Sequence, residues 1–320
     1  MGENVNSFNE EEFEKFLDKY HIRECYKKSG LDWRTLQQIF LDYQMNINLV
    51  ERCCKSLEEY CQTNFSSIRN SYHSIRCRPK DPEHLIEKII RKRGKEQSAK
   101  YNGIDANSYK NIIQDLIGLR ILVIKKEDWE PIFDKLVNIF PSNDGSDCYM
   151  AEKPIAYIRY GDCDIYNNKI KIEYSNKGYR SLHYIVRYEG FFCEIQVRTL
   201  AEEVFGEFDH LVKYPYRNDN NFLIRYTNTL SKLTNAIDEI ISTCFQMNED
   251  GWKANAVYFK EDYYEDWSKR SQNSAKEASY EKDESAEETS SQSPTMVRQR
   301  VNDILLRKEG HLNGKSSGEQ

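Results

Sequence analysis

LIGLRILVI, residues 116–124, and FFCEIQVRT, residues 191–199, decide the fold class of this 320-residue chain. The first run is apolar at nearly every position, which is what a strand buried on both faces requires. The second alternates strictly, setting Cys193, Ile195 and Val197 on one face and Glu194, Gln196 and Arg198 on the other. Around them IAYIRY (155–160), KIKIEY (169–174) and LHYIVRYE (182–189) are rich in Ile, Val and Tyr and read as further strands. The expectation is an α+β fold, a mixed sheet flanked by helices.

Outward from the sheet the period changes. FEKFLDKYHIRECYKK (13–28) and LQQIFLDYQMNINLVERCCKSLEEYC (36–61) space their apolar residues by three and four, as does the run from 220 to 245. They read as helical N- and C-terminal extensions that serve packing or homo-oligomer assembly. Beyond about 260 the chain turns to Ser, Glu and Lys with few core formers, apart from a short amphipathic run, VRQRVNDILLRK (297–308). The expected layout is a helical extension over 1–65, a core over 66–217, a helix over 218–250 and a disordered acidic tail over 251–320.

Composition narrows the class. No apolar run approaches the ~18 residues of a membrane span, and the start, MGENVNSFNEEEFEKF, lacks the layout of a secretory signal. Asn6 stands where an N-myristoylation site needs Ser or Thr. Nine cysteines without a C-x-x-C pair read as free thiols of a reducing compartment. A cytoplasmic protein without membrane partners is expected. The net charge of −6 is matched by the excess of acid over base within 261–290, whereas 71–100 carries nine Lys/Arg against four Asp/Glu and suits a phosphate-bearing ligand.

Within that basic stretch, Asp81-Pro82 is a helix opening, with Asp as cap and Pro in the first turn. The helix it starts would place His84, Lys88, Arg91 and Lys95 on one stripe beside an apolar surface of Leu85, Ile86, Ile89 and Ile90, with Arg78 and Lys80 just ahead. Such cations suit a triphosphate, or simply a solvated face. Asp115 directly precedes the buried strand, where metal ligands and turn aspartates both occur. Arg120 interrupts that strand and must be paired or functional, because an unpaired buried cation is very costly. In SNKGYRSLHYIV (175–186), Gly178 lets the chain project Tyr179 between Lys177 and Arg180, an aromatic flanked by cations that suits a nucleobase and its phosphates. His183 enters the next strand. After Thr199 a Thr-x-x-Glu capping box opens a helix with Leu200, Val204, Phe208 and Leu211 on a packing stripe and Glu203, Glu207 and His210 on another.

In this order and spacing, the segments between about 70 and 215 resemble the RelA/SpoT family of guanosine tetra- and pentaphosphate synthetases, in particular its small stand-alone members. The residues that carry the resemblance are Arg78-x-Lys80 with Lys88 and Arg91, D-L-I-G-L-R at 115–120, K-G-Y-R-S-L-H at 177–183 and E-I-Q-V-R-T at 194–199. It implies a nucleotidyltransferase-like fold and a GTP pyrophosphokinase that moves the β,γ-diphosphate of ATP to the 3′-hydroxyl of GDP or GTP. It further implies that Arg78, Lys80, Lys88 and Arg91 hold the ATP phosphates, Arg120 stacks on adenine, and Asp115 and Glu194 bind Mg2+. Tyr179 would stack on the acceptor base, with Lys177, His183, Gln196, Arg198 and Glu203 on the acceptor side and Glu194 a candidate to take the hydroxyl proton.

Two positions depart from the family pattern. His84 replaces a serine of the basic helix, and Glu203 stands where Asn or His is usual. A carboxylate there is expected to repel the most highly charged acceptor and so favour GDP over GTP. No His-Asp dipeptide occurs, so the hydrolase domain of the long bifunctional members is not expected. Two alternatives remain open: a toxin-like relative acting on the 3′ end of tRNA or another nucleotide, and an inactive nucleotide-binding regulatory module.

Overall fold

Sequence periodicity and structure agree on the sheet and differ on how the helices are cut. The computed structural model describes residues 8–255 except 144, 161, 163, 167, 176–177 and 214–219. Lys177, residues 256–320 of the expected acidic tail and with them the VRQRVNDILLRK run therefore lie outside the described residues, whereas 251–255, expected to be disordered, continue a helix. In chain order the helices are α1 (Glu10–Lys19), α2 (Arg23–Ser29), α3 (Trp33–Met45), α4 (Ile47–Asn64), α5 (Pro82–Gly94), α6 (Tyr109–Ile112), α7 (Trp129–Ile139), α8 (Leu200–Lys213) and α9 (Asn221–Asn255). The strands are β1 (Ser74–Pro79), β2 (Ile117–Val123), β3 (Cys148–Met150), β4 (Ile155–Ile158), β5 (Lys171–Tyr174), β6 (Ser181–Tyr188) and β7 (Phe191–Thr199).

The seven strands form one mixed sheet in the order β1-β2-β7-β6-β4-β5, with β3 also pairing to β6. β2 runs parallel to β7 and β4 to β5, while the other pairs are antiparallel. All five strands read from Ile, Val and Tyr content are present. β1 was hidden because SIRCRP reads as a basic segment, and β3 because three residues show no period.

The two N-terminal runs read as helices are four. His21 takes a left-handed φ of 51° and ends the first turn of chain after α1; Asn46 ends α3, its side-chain amide donating back to the Asp42 carbonyl at 2.7 Å. α2 and α3 pack on α5, and α4 packs on β1, so these helices share one core with the sheet. That core runs from Phe8, Phe13 and Phe40 through Ile86 and Ile90 to Ile121, Ile195 and Val197.

Candidate active site

The antiparallel register of β1 on β2 sets Pro79 against Ile117, and the Lys80 amide then donates to the Leu116 carbonyl at 2.8 Å. This brings Lys80 beside Asp115. One residue later Asp81 caps α5, its side chain accepting from the His84 amide at 3.0 Å, and two turns into that helix Lys88 returns to the same carboxylate. Lys80 Nζ and Lys88 Nζ each lie 2.8 Å from an Asp115 oxygen, and all three side chains are less than one-fifth exposed. Burial opposes ionisation of Asp115 most strongly, yet the two ammoniums outweigh it and hold its carboxyl well below the usual range.

The parallel pairing of β2 with β7 aligns Gly118 with Glu194 and Arg120 with Gln196, so one polar face gathers Arg120, Glu194, Gln196 and Arg198. Glu194 Oε1 meets His183 Nδ1 at 3.0 Å across from β6, and its Oε2 accepts from Gln196 Nε2 at 2.7 Å. Although burial again pushes the other way, His183 leads the contacts that keep the Glu194 carboxyl below its ordinary value. The other ring nitrogen of His183, Nε2, is buried without a hydrogen-bond partner among the described residues. Asp115, Glu194, His183, Gln196, Tyr179 and the cations Arg78, Lys80, Lys88, Arg91, Lys95, Arg120 and Arg198 line one cleft of about 1100 Å³.

Helix α8 closes one side. Arg120 pairs with both Glu203 and Glu207, and Arg198 lies 3.5 Å from Glu203. Gly206 permits this close approach, because a Cβ there would stand 2.6 Å from Arg198 Nη1. The side chain of Glu203 is 16% exposed, so its charge is compensated by two arginines; the expected repulsion of a polyphosphate by a bare carboxylate is not what this geometry provides. The expected packing stripe of α8 is also displaced. Val204 and Leu211 are exposed, whereas Glu202 and Phe205 are buried: Glu202 is drawn in by the buried Arg159, Glu203 by Arg120 and Arg198, and Glu207 by Arg120, so arginines rather than aliphatic groups set the inward face of α8.

Tyr179 follows Gly178, whose φ of +70° is the left-handed conformation expected of that glycine. The Arg198 guanidinium lies 5.7 Å from the Tyr179 ring centroid, and the rings of Tyr157 and His183 lie 6.0 and 6.5 Å away. Tyr157 was missed by sequence reasoning, although alternation along β4 places it on the cleft side of the strand. Arg180 does not flank Tyr179 on the cleft. It turns beneath α9 to Asp162 and Asp238, both at 3.2 Å, because α9 buries acids there. The Gly178 carbonyl is fixed from the same side by Arg159 Nε at 2.8 Å and by the Ser231 hydroxyl.

The basic stripe of α5 is present but not bare. Arg91 pairs with Glu87 at 3.0 Å and with Glu96, and in the cleft lining the Lys and Arg side chains are matched one for one by Asp and Glu. Part of the local positive excess seen in the sequence, Lys80, Lys88, Arg91 and Lys92, is thus held by internal acids. His84 faces His210 of α8 with ring centroids 5.4 Å apart, and burial lowers the proton affinity of both. Among the described residues no cluster of three or more His, Cys, Asp or Glu side chains is placed to hold a metal by protein ligands alone.

This cleft is built from the segments whose spacing suggested the family, and residues 77–219 match the family model for the region found in RelA / SpoT proteins. Residues 77–219 carry the region found in RelA / SpoT proteins. Solved structures similar to the chain include a GTP pyrophosphokinase family protein from Streptococcus pneumoniae, at 20% identity and TM-score 0.46, with 78% of this chain and 98% of that one covered. Small alarmone synthetase 1 from Bacillus subtilis is similar at 17% identity and TM-score 0.48, covering 65% and 98%. The same Bacillus subtilis protein bound to its product pppGpp is similar at 18% identity and TM-score 0.46, again covering 65% and 98%. No curated protein matches the chain. Among the described residues of the chain no helix is long and apolar enough to cross a membrane.

Proposed function

We propose that the RelA/SpoT domain is an ATP-dependent pyrophosphokinase that transfers the β,γ-diphosphate of ATP to the 3′-hydroxyl of GDP or GTP. The observation that carries this reading is the Asp115 carboxylate shared between Lys80 and Lys88 in a cleft that also holds Glu194 and Tyr179. A cleft of about 1100 Å³ exceeds the ~300–1,000 Å³ of ordinary small-ligand sites and suits two nucleotides at once.

Arriving phosphate oxygens compete with the acids that now hold the cations. Lys80 and Lys88 stand ready at the Asp115 end, Arg91 exchanges Glu87 and Glu96 for phosphate, and Arg78 joins from the end of β1. Arg120 presents its guanidinium to the adenine while Glu203 and Glu207 hold it. Tyr179 takes the acceptor base, backed by Arg198, with His183 and Gln196 orienting Glu194 at the acceptor side.

Mg2+ fits the two carboxylates by donor chemistry. Asp115 and Glu194 offer hard, ionised oxygens, and magnesium commonly takes only one or two carboxylates from a protein while phosphates and water complete its shell. Bound there, it would neutralise charge on the transferred diphosphate. A carboxylate held below its ordinary pKa is a poor proton acceptor, so Glu194 serves better as an ion-binding and orienting group than as a general base. The free thiols among the described residues accord with a cytoplasmic enzyme.

The test is acceptor labelling. Purified protein is incubated with γ-labelled ATP, Mg2+ and, in separate reactions, GDP, GTP, ATP and bulk tRNA. Label on GDP and GTP is expected; label on tRNA alone would replace this acceptor, and label on none would leave a nucleotide-binding module.

A further inference from the structure

The amphipathicity of α9 is inverted. A helix normally buries its apolar stripe, but here Leu233, Ile237 and Ile240 are exposed, while Thr227, Ser231, Thr234, Asp238 and Ser242 are at most 7% exposed. The buried polar stripe meets the segment that carries Tyr179. The Gly178 carbonyl accepts from Arg159 Nε at 2.8 Å and from the Ser231 hydroxyl, and a Cβ on Gly178 would stand only 3.1 Å from Ser231 Oγ. Beyond Tyr179 the Arg180 amide donates to Glu202 Oε2 at 3.0 Å, and the Arg180 guanidinium reaches Asn235 at 2.9 Å and Asp238 at 3.2 Å. The residues on either side of Tyr179 are thus both held from behind. Three of the side chains that hold them, Ser231, Asn235 and Asp238, lie on α9, beyond the 77–219 region.

The network has one buried acid more than it has cations. Arg159 and Arg180 face Asp162, Glu202 and Asp238, all with side chains at most 10% exposed, and Glu239 adds a carboxylate 3.6 Å from Arg180 at the rim. Burial, with Glu202 adding to it, pushes the Asp238 carboxyl up to about 6, although the Thr199 hydroxyl and both arginines favour its ionised form. Its Oδ1 has no hydrogen-bond partner among the described residues. Because the folded-state pKa is raised, stability present below the ordinary aspartate value of ~3.9 is lost as pH rises to about 6. An amide would serve stability better at this position. What the ionised carboxylate adds is a charge-assisted grip on Arg180.

Resting on the acceptor role proposed above for Tyr179, we propose that Ser231 and Asp238 of α9, with Arg159 just after β4, are positioning residues of the acceptor subsite: they hold the Gly178–Arg180 segment in the shape that presents Tyr179 to the base. A segment ordered in advance spares the acceptor that ordering, whereas one released from α9 must be ordered by the acceptor as it binds. The ATP side does not use this grip, since Lys80, Lys88 and Arg120 are held by Asp115, Glu203 and Glu207.

Steady-state kinetics and amide exchange of the full chain carrying Ser231→Ala or Asp238→Asn test this. With whichever acceptor the native protein labels, each variant should raise the acceptor KM roughly 2- to 12-fold, the equivalent of one hydrogen bond, and keep kcat, the ATP KM and Tm. Asp238→Asn keeps Tm because it leaves two buried acids for two arginines. In protein free of nucleotide, the amides of 178–183 should exchange faster in both variants while those of the remaining sheet do not. The pH profile singles out Asp238. The acceptor KM of Asp238→Asn divided by that of the native protein should be several-fold at neutral pH and approach one as pH falls below about 6, where the native carboxyl is protonated as well. Native KM and native exchange in both variants would overturn the proposal. So would a parallel loss of kcat, of affinity for both substrates and of Tm, which is what a general loss of packing gives. A native protein that labels no acceptor removes the proposed function instead; exchange at 178–183 then decides alone, faster in the variants if α9 holds the segment and unchanged if it does not.

Discussion

Replacing Asp115 by Asn removes one carboxylate and strands two ammoniums. Lys80 and Lys88 each sit 2.8 Å from it, and both side chains are under one-fifth exposed. At that distance and an effective dielectric near 20, each contact has a Coulomb energy of about 6 kcal/mol before desolvation is set against it. Removing one partner of a buried pair costs about 3–5 kcal/mol in practice. Asn keeps one acceptor oxygen and the lysines can lean into the cleft, so the low end, about 3 kcal/mol, is expected. In a domain of this size that is a fall in Tm of roughly 6–12 °C. The pH dependence has a definite sign. Because the folded-state pKa of Asp115 is depressed, its stabilisation is full above the ordinary aspartate value near ~3.9 and is lost as pH falls below it toward the folded value. The gap in Tm between native protein and Asp115→Asn should therefore be constant from neutral pH down to about 5 and narrow in stronger acid. Adding Lys80→Met to Asp115→Asn should recover part of the loss. Calorimetric melts of the three proteins across pH check this. A fall of less than ~2 °C at neutral pH would show that solvent screens the triad and refute the reasoning.

Other outcomes follow from the same geometry. Glu194→Gln should abolish transfer with little change in Tm, since the amide keeps the shape that His183 and Gln196 contact; near-native turnover would remove Glu194 from the ion site. Tyr179→Ala should raise the acceptor KM by roughly 5- to 150-fold, the equivalent of a ~1–3 kcal/mol base stack, with the ATP KM little changed; a rise confined to ATP would assign the ring to the other nucleotide. Glu203→Asn should leave the GDP-to-GTP preference within about twofold of native, because Glu203 is already balanced by Arg120 and Arg198, while loosening Arg120 and raising the ATP KM. A large change in acceptor preference would restore the repulsion argument.

Five strands were legible because Ile, Val and aromatic residues concentrate there, in near-continuous apolar order in β2 and in strict alternation in β7. Asp81-Pro82 also announced its helix, since capping is chemistry local to a few residues. What escaped depended on partners distant in sequence. Nothing near Arg180 shows that Asp238, 58 residues on, draws it under α9 and away from the cleft. The packing face of α8 was misread because helical periodicity assumes an apolar floor, while the floor here is Arg120, Arg159 and Arg198. The inverted α9 was hidden for the same reason. Its Thr and Ser residues look like a solvated stripe until Arg159 and Arg180 are seen to lie beneath them. Likewise the cations of α5 could be counted in the sequence, but not the acids of the same cleft that hold Lys88 and Arg91.

The central claim is diphosphate transfer in one piece from ATP to a ribose hydroxyl. Phosphorus NMR and mass spectrometry of the products formed from ATP and GDP test it most directly. The account predicts AMP and a guanosine nucleotide bearing a 3′-diphosphate, in equal amounts, with both products lost in Glu194→Gln. Release of ADP with a single transferred phosphate, or AMP with free pyrophosphate and unaltered GDP, would contradict it.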